Sequence, residues 1–134
     1  MSKNMDLFQW SVRVYFEDVD SGGIVYYANY LKFMERARTE WLRADGLDVA
    51  ELEKKDRILF VVKSLEIEYS RPARLSDLLS VSIVLEEIGR VSLDLFQEIT
   101  YDKQVLCSGR LRLACLHADT LRPIRIPAGI IRSL

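Results

Sequence analysis

The sequence predicts an α+β domain in which about five antiparallel strands bury one face against a single amphipathic helix. Five stretches alternate apolar and polar residues with the period of two that marks a half-buried strand. One stretch instead repeats apolar residues at helical spacing. At 134 residues, 49% of them hydrophobic, the chain has the length of one domain (1–134) and enough apolar surface for a packed core without staples.

The first strand runs from Trp10 to Phe16, with Trp10, Val12, Val14 and Phe16 on one face and Ser11, Arg13 and Tyr15 on the other. In the loop that follows, Glu17, Asp18 and Asp20 place three carboxylates in four positions, so solvent or a chemical task must account for them. Gly22 and Gly23 then allow backbone angles, and a close approach by another group, that a Cβ would forbid. From about Ala28 to Ala44, Tyr30, Phe33, Met34, Ala37 and Trp41 form an apolar helical stripe. Asn29 suits an N-cap if the helix begins late, and Val25 to Tyr27 suits a first turn if it begins early. Either way, backbone N–H groups near Tyr26 to Asn29 put partial positive charge beside the Asp20 loop.

Gly46 is a C-terminal stop, and Asp48 to Lys55 is a short helical connection with Val49 and Leu52 turned inward. Ile58 to Tyr69 alternates as a strand, Leu59, Val61, Lys63, Leu65, Ile67 and Tyr69 on one side and Phe60, Val62, Ser64, Glu66 and Glu68 on the other. Both of its faces are apolar at the start, which calls for a further covering layer. Pro72 breaks the ladder, and Leu79 to Leu85 resumes it. A turn at Gly89-Arg90 leads into Val91 to Tyr101, and a turn at Asp102-Lys103 into Val105 to His117. The order is one helix followed by a long antiparallel meander. Pro123 and Pro127 punctuate the tail.

A formal net charge of −1 gives no global basic field for nucleic acid. The first eight residues carry no apolar leader and no run approaches membrane-spanning length, so the cytoplasm is the expected compartment. Cys107 and Cys115 are in phase on one strand but too far apart along it to bridge, and free buried thiols suit a reducing compartment. With His117 on the same face, the three residues fit either a metal or Cys-His site or core packing. Zinc sites usually supply four ligands at loop-like spacings, so core packing is the better reading and no metal site is expected. Gly22-Gly23 lacks the lysine and third glycine of a phosphate-binding loop.

The run Y-F-E-D-V-D-S-G-G-I-V-Y-Y-A-N-Y, followed by E-R-A-R, closely resembles the hotdog-fold acyl-CoA thioesterases of the 4-hydroxybenzoyl-CoA thioesterase family, in particular their bacterial Tol-Pal-associated branch. A second run, Ile67 to Asp77, matches that branch's V-E-Y-x-x-P-A-R-L-x-D, so the resemblance spans nearly the whole chain. It implies a hotdog fold, a curled antiparallel sheet wrapped around one long central helix, and hydrolysis of an acyl-CoA thioester without metal or organic cofactor. Asp20 aligns with the essential carboxylate and Asp18 with a supporting one. Tyr27 stands where the branch usually has His, and Phe16 where it usually has Tyr, so neither side chain can take a proton at neutral pH. Tyr27 instead matches the 4-hydroxybenzoyl-CoA type, in which that residue offers its backbone N–H to the thioester carbonyl. Basic residues near the positions of Arg90 and Arg122 meet the CoA phosphates in that type.

The expected activity is therefore thioester hydrolysis, Asp20 attacking the carbonyl or activating water, with Gly22 and Gly23 against the substrate. An acyl carrier protein is an alternative acyl donor. The rival is a non-catalytic acyl-thioester-binding or interaction protein of the same fold, and a hotdog dehydratase is weaker because that chemistry generally wants a catalytic His. A homo-oligomer, dimer or tetramer, is expected because one helix cannot cover a sheet that is apolar on both sides or its long edges.

Overall fold

The computed structural model describes residues 7–134; residues 1–6, most of the stretch read as lacking a leader, lie outside them. The strands are β1 (Phe8–Arg13), β2 (Ile58–Tyr69), β3 (Leu78–Ile88), β4 (Ser92–Tyr101) and β5 (Gln104–His117). The helices are α1 (Asn29–Ala44), the single turn α2 (Val49–Glu51), which continues as a π-turn over Leu52–Asp56, and α3 (Ala128–Ser133). All strand pairs are antiparallel, in the order β1-β3-β4-β5-β2. This is the expected α+β hotdog arrangement, with one difference in pairing. β2 does not join the meander beside β3 but pairs with β5 at the sheet edge. Residues 70–77 carry the chain across the ends of β5 and β4, and eight residues easily span three strand spacings of about 4.8 Å.

The helix stripe packs as the spacing predicts, with Tyr30, Phe33, Met34, Ala37 and Trp41 all buried. Burying side chains of this size contributes about 1.5–3 kcal/mol each for the larger ones. Opposite them lie Leu79, Val81 and Ile83 of β3, Leu93, Leu95 and Ile99 of β4, and Leu111 and Cys115 of β5. Gly109 lets Met34 sit directly on β5, since a Cβ there would stand 3.2 Å from the Met34 sulfur. Gln97 is fully buried among these residues yet satisfied: its Nε2 donates to the Met34 carbonyl (3.1 Å), and its Oε1 accepts from Arg38 (3.0 Å). This bond fixes the position of α1 along the sheet, and burial pushes the Arg38 guanidinium below the usual arginine range.

Two expectations about faces are corrected. The register of β2 against β5 slips between Val62 and Ser64, so Lys63 is an extra residue. The bulge reverses the side-chain parity. Phe60 and Val62, opposite Cys115 and Leu113, therefore share the core face with Leu65, Ile67 and Tyr69, and only Leu59 and Val61 are apolar on the outer face. Phe16 is also not on the strand face with Trp10 and Val12. β1 ends at Arg13 and a 3₁₀ turn over Phe16–Asp18 rotates the Phe16 ring into solvent, 83% exposed.

Candidate active site

Asp18, at the end of that turn, is 5% exposed and its carboxylate is fully engaged. Oδ2 accepts from the Tyr15 N–H (2.8 Å) and Oδ1 from the Asn29 amide (2.7 Å). Asn29 is thus neither an N-cap nor in a first turn begun at Val25: α1 starts at Asn29 with Ala28 preceding it, and the Asn29 side chain reaches back to Asp18. The Asp18 carbonyl also accepts from the Tyr26 N–H (3.1 Å), so this one residue ties strand, loop and helix together.

Asp20 lies two residues on, exposed, in a tight hairpin. Its N–H donates to the Ile24 carbonyl (3.1 Å), its carbonyl accepts from Gly23 (3.0 Å), and its Oδ1 accepts from the Gly22 N–H (3.0 Å). Gly23 is required by its φ of 73°, whereas Gly22 serves through its N–H, a Cβ there meeting Asp20 Oδ1 at 3.5 Å and Ile24 Cγ1 at 4.0 Å, both ordinary contacts. The hairpin is braced from outside by the second motif. Val25 N–H donates to the Ala73 carbonyl (2.9 Å), Leu75 N–H to Gly23 (3.2 Å) and Ser76 N–H to Val14 (3.0 Å). Ala73 N–H in turn donates to the Tyr30 hydroxyl (2.9 Å). The two sequence motifs are therefore one unit, a carboxylate loop and its clamp.

Tyr27 stands where this loop enters α1. Its backbone N–H donates to no acceptor among the described residues, while the Tyr26 carbonyl in the same peptide accepts from Asn29 (2.8 Å). The N–H is held in direction and left available. Beside it, Val25, Tyr27, Tyr30, Tyr69, Ser70, Arg71 and Pro72 line a hollow of about 250 Å³. Tyr69 was placed by sequence only on a strand face, yet its hydroxyl donates to the Tyr27 carbonyl (3.0 Å). No local pattern signals a bond between residues 42 positions apart.

Arg90 and Arg122 do not join this group. The loop lies at the Leu78 end of β3, and Arg90 follows the Ile88 end, roughly 33 Å away along ten residues of strand. Arg122 is at the same far end, its carbonyl accepting from the His117 N–H at the tip of β5. Arg90 instead shares an open groove of about 600 Å³ with Ile88, Arg125 and Ile131. Cys107 and Cys115 are buried and free. His117 Nδ1 accepts from the Asp119 N–H (3.0 Å). Among the described residues no three His, Cys, Asp or Glu side chains cluster as a metal site.

An antiparallel sheet laid on one main helix, with an exposed carboxylate hairpin braced at the helix entrance, defines a hotdog protein of the thioesterase class. The thioesterase-like superfamily matches residues 14–134, and the chain belongs to that superfamily. Within it, the chain is 38% identical over 123 residues to the acyl-CoA thioesterase YbgC of Haemophilus influenzae, covering 92% of this chain and 90% of that one. It is 37% identical over 129 residues to the acyl-CoA thioester hydrolase YbgC of an Escherichia coli O6:H1 strain, covering 96% of each. The crystal structure of a probable thioesterase from Bartonella henselae superposes with a TM-score of 0.87 at 30% identity, covering 91% of this chain and all of that one.

Proposed function

We propose that this chain hydrolyses an acyl-CoA thioester to free acid and CoA, with Asp20 as the catalytic carboxylate and no metal. The observation that carries the reading is the pairing, in one braced loop, of an exposed Asp20 with an available Tyr27 N–H at the start of α1. Asp20 attacks the thioester carbonyl carbon, expelling CoA thiolate and leaving a mixed anhydride for water, or it takes a proton from water that attacks the same carbon. On either route the negative charge that develops on the carbonyl oxygen meets the Tyr27 N–H and the helix N-terminus. Asp18 holds the loop, and Gly22 and Gly23 leave its surface open to the substrate.

The working unit is a homo-oligomer, at least a dimer. The start of β2 is apolar on both faces, Phe60 and Val62 on the core side and Leu59 and Val61 outside. β2 is a twelve-residue edge strand whose core-side residues Val62 and Leu65 remain 46% and 36% exposed. A two-fold pairing of β2 with its copy is antiparallel, which brings the Ile58 end of one chain toward the Tyr69 end of the other. Arg90 and Arg122, remote from Asp20 in their own chain, then approach the partner's site, where CoA phosphates would be. The buried free thiols support a cytoplasmic setting, and no helix among the described residues is long and apolar enough to cross a membrane.

The test is a panel of acetyl-, butyryl-, palmitoyl- and benzoyl-CoA and an acyl carrier protein thioester, read by released thiol with and without EDTA. Turnover of at least one ester, unchanged by EDTA, is expected. Tight binding of esters without turnover would establish the non-catalytic reading, which the Gly22–Asp20 turn bond favours in assigning Asp20 an ordinary structural role. Light scattering that shows an active monomer at micromolar concentration would overturn the oligomer.

A further inference from the structure

The carbonyl of Tyr27 is a group the helix leaves out. In a regular helix it would accept from the Leu31 N–H, but that N–H donates to Ala28 instead (3.2 Å). The Tyr27 carbonyl accepts instead from the hydroxyl of Tyr69, the last residue of β2. The Tyr69 backbone is anchored opposite Cys107 in the β5 ladder. Its ring is packed edge-on against two others, Tyr27 at 6.4 Å and Tyr30 at 5.5 Å between centroids. Burial, helped by Cys107 and the neighbouring tyrosines, raises the Tyr69 hydroxyl above its ordinary range, so it remains an O–H donor at neutral pH.

The two peptide groups that flank the Tyr27 Cα are thus held by their carbonyls, the first by Asn29 and the second by Tyr69. A trans peptide sets its N–H antiparallel to its C=O. The Asn29 bond therefore aims the Tyr27 N–H out of the helix entrance, and the Tyr69 bond turns the Ala28 N–H away from β2. The first restraint is local and forms with the helix. The second comes from a strand 42 residues away that lines the same 250 Å³ hollow.

We infer that Tyr69 is a positioning residue for thioester hydrolysis, its hydroxyl holding the Tyr27 carbonyl and so fixing the residue whose N–H, in the preceding peptide, meets the reacting carbonyl. This rests on the reading of the Tyr27 N–H as the oxyanion donor. Tyr69 touches no reacting atom in the scheme. It acts on the transition state, where charge has developed on the carbonyl oxygen, more than on ground-state binding.

Tyr69→Phe removes one oxygen and keeps the ring. With the fastest ester among acetyl-, butyryl- and benzoyl-CoA, kcat is expected to fall about 5- to 20-fold with KM within about twofold, as for loss of one positioning hydrogen bond. The Kd for a CoA thioether such as S-butyl-CoA, which has no carbonyl, should be unchanged. The melting temperature should stay within about 3 °C, the scale of a small stability change in a chain of this length. The ¹³C signal of the Tyr27 carbonyl and the ¹⁵N signal of Ala28 should both move, because they report the bond without any turnover. A shifted carbonyl with kcat unchanged shows a structural bond only and overturns the role; an unshifted carbonyl overturns the bond itself. If kcat falls only in step with thioether affinity, Tyr69 is a binding residue and the inference fails. A wild-type protein that cleaves none of the esters overturns the thioesterase reading and the role with it, while the carbonyl shift still reports the bond.

Discussion

Replacing Asp18 with Asn tests whether the Asp20 loop is held by a buried carboxylate. In the native protein both Asp18 oxygens accept, one from Asn29 at 2.7 Å and one from the Tyr15 N–H at 2.8 Å, at a site 5% exposed. An asparagine has one accepting oxygen and an NH₂ that must face one of those two donors. If the Asn29 amide rotates to meet it, both bonds survive as neutral ones; otherwise one is lost. Charge-assisted bonds are worth about 1.5–3 kcal/mol and neutral ones about 0.5–1.5, so the cost is about 2 kcal/mol if both bonds survive and about 3 kcal/mol if one is lost. For 134 residues the smaller cost is a fall in melting temperature of roughly 6–10 °C. Urea unfolding followed by circular dichroism gives the free energy, and kcat of the folded variant should fall less than that of an Asp20 variant. A stability change under about 0.5 kcal/mol would refute the argument that the Asp18 carboxylate holds the loop.

Gln97→Leu keeps the volume but leaves the half-buried Arg38 without its amide acceptor, and a loss of about 2–3 kcal/mol is expected in denaturant unfolding. Burial holds the Cys107 thiol up at about 12, so alkylation of the native protein should be slow and still climbing about tenfold per pH unit at about pH 10, where unfolded thiols of pKa about 8.5 have already levelled off. The unfolded chain sheds that proton first, so the corresponding stability is present below about pH 8.5 and is lost as pH rises toward 12. Arg90→Ala or Arg122→Ala should raise KM for a CoA ester with kcat nearly kept, and the effect should shrink for a pantetheine ester; equal losses on both substrates would exclude a phosphate contact.

Much of the architecture was legible because it is local. The alternation in β3, β4 and β5 and the stripe from Tyr30 to Trp41 are each periodic within one segment, and their buried faces are the expected ones. The acidic turn with Gly22 and Gly23 announced a special loop, and Asp18 and Asp20 then separate into a buried anchor and an exposed group. What the sequence did not disclose is non-local. Lys63 carries no mark of a bulge, and a single unpaired residue reverses the face of everything after it. The pairing of β2 with β5 depends on which edge residues 70–77 cross, and alternation does not encode that. The same holds for Tyr69, whose role appears only when β2 lies against the entrance of α1. Arg90 and Arg122 were grouped with the site by resemblance, and only the sheet topology shows that they lie a strand length from it.

The central claim is that Asp20 carries the chemistry, and the most direct measurement is single-turnover hydrolysis of the best CoA ester by purified Asp20→Asn alongside the wild type, with thermal melts of both. The substitution keeps the side chain's size and its acceptor for the Gly22 N–H while removing the negative charge. The account predicts a folded variant, melting within about 3 °C of the wild type, whose hydrolysis step is slower by at least about 10²-fold. A folded Asp20→Asn protein that cleaves the ester at close to the wild-type rate would contradict it.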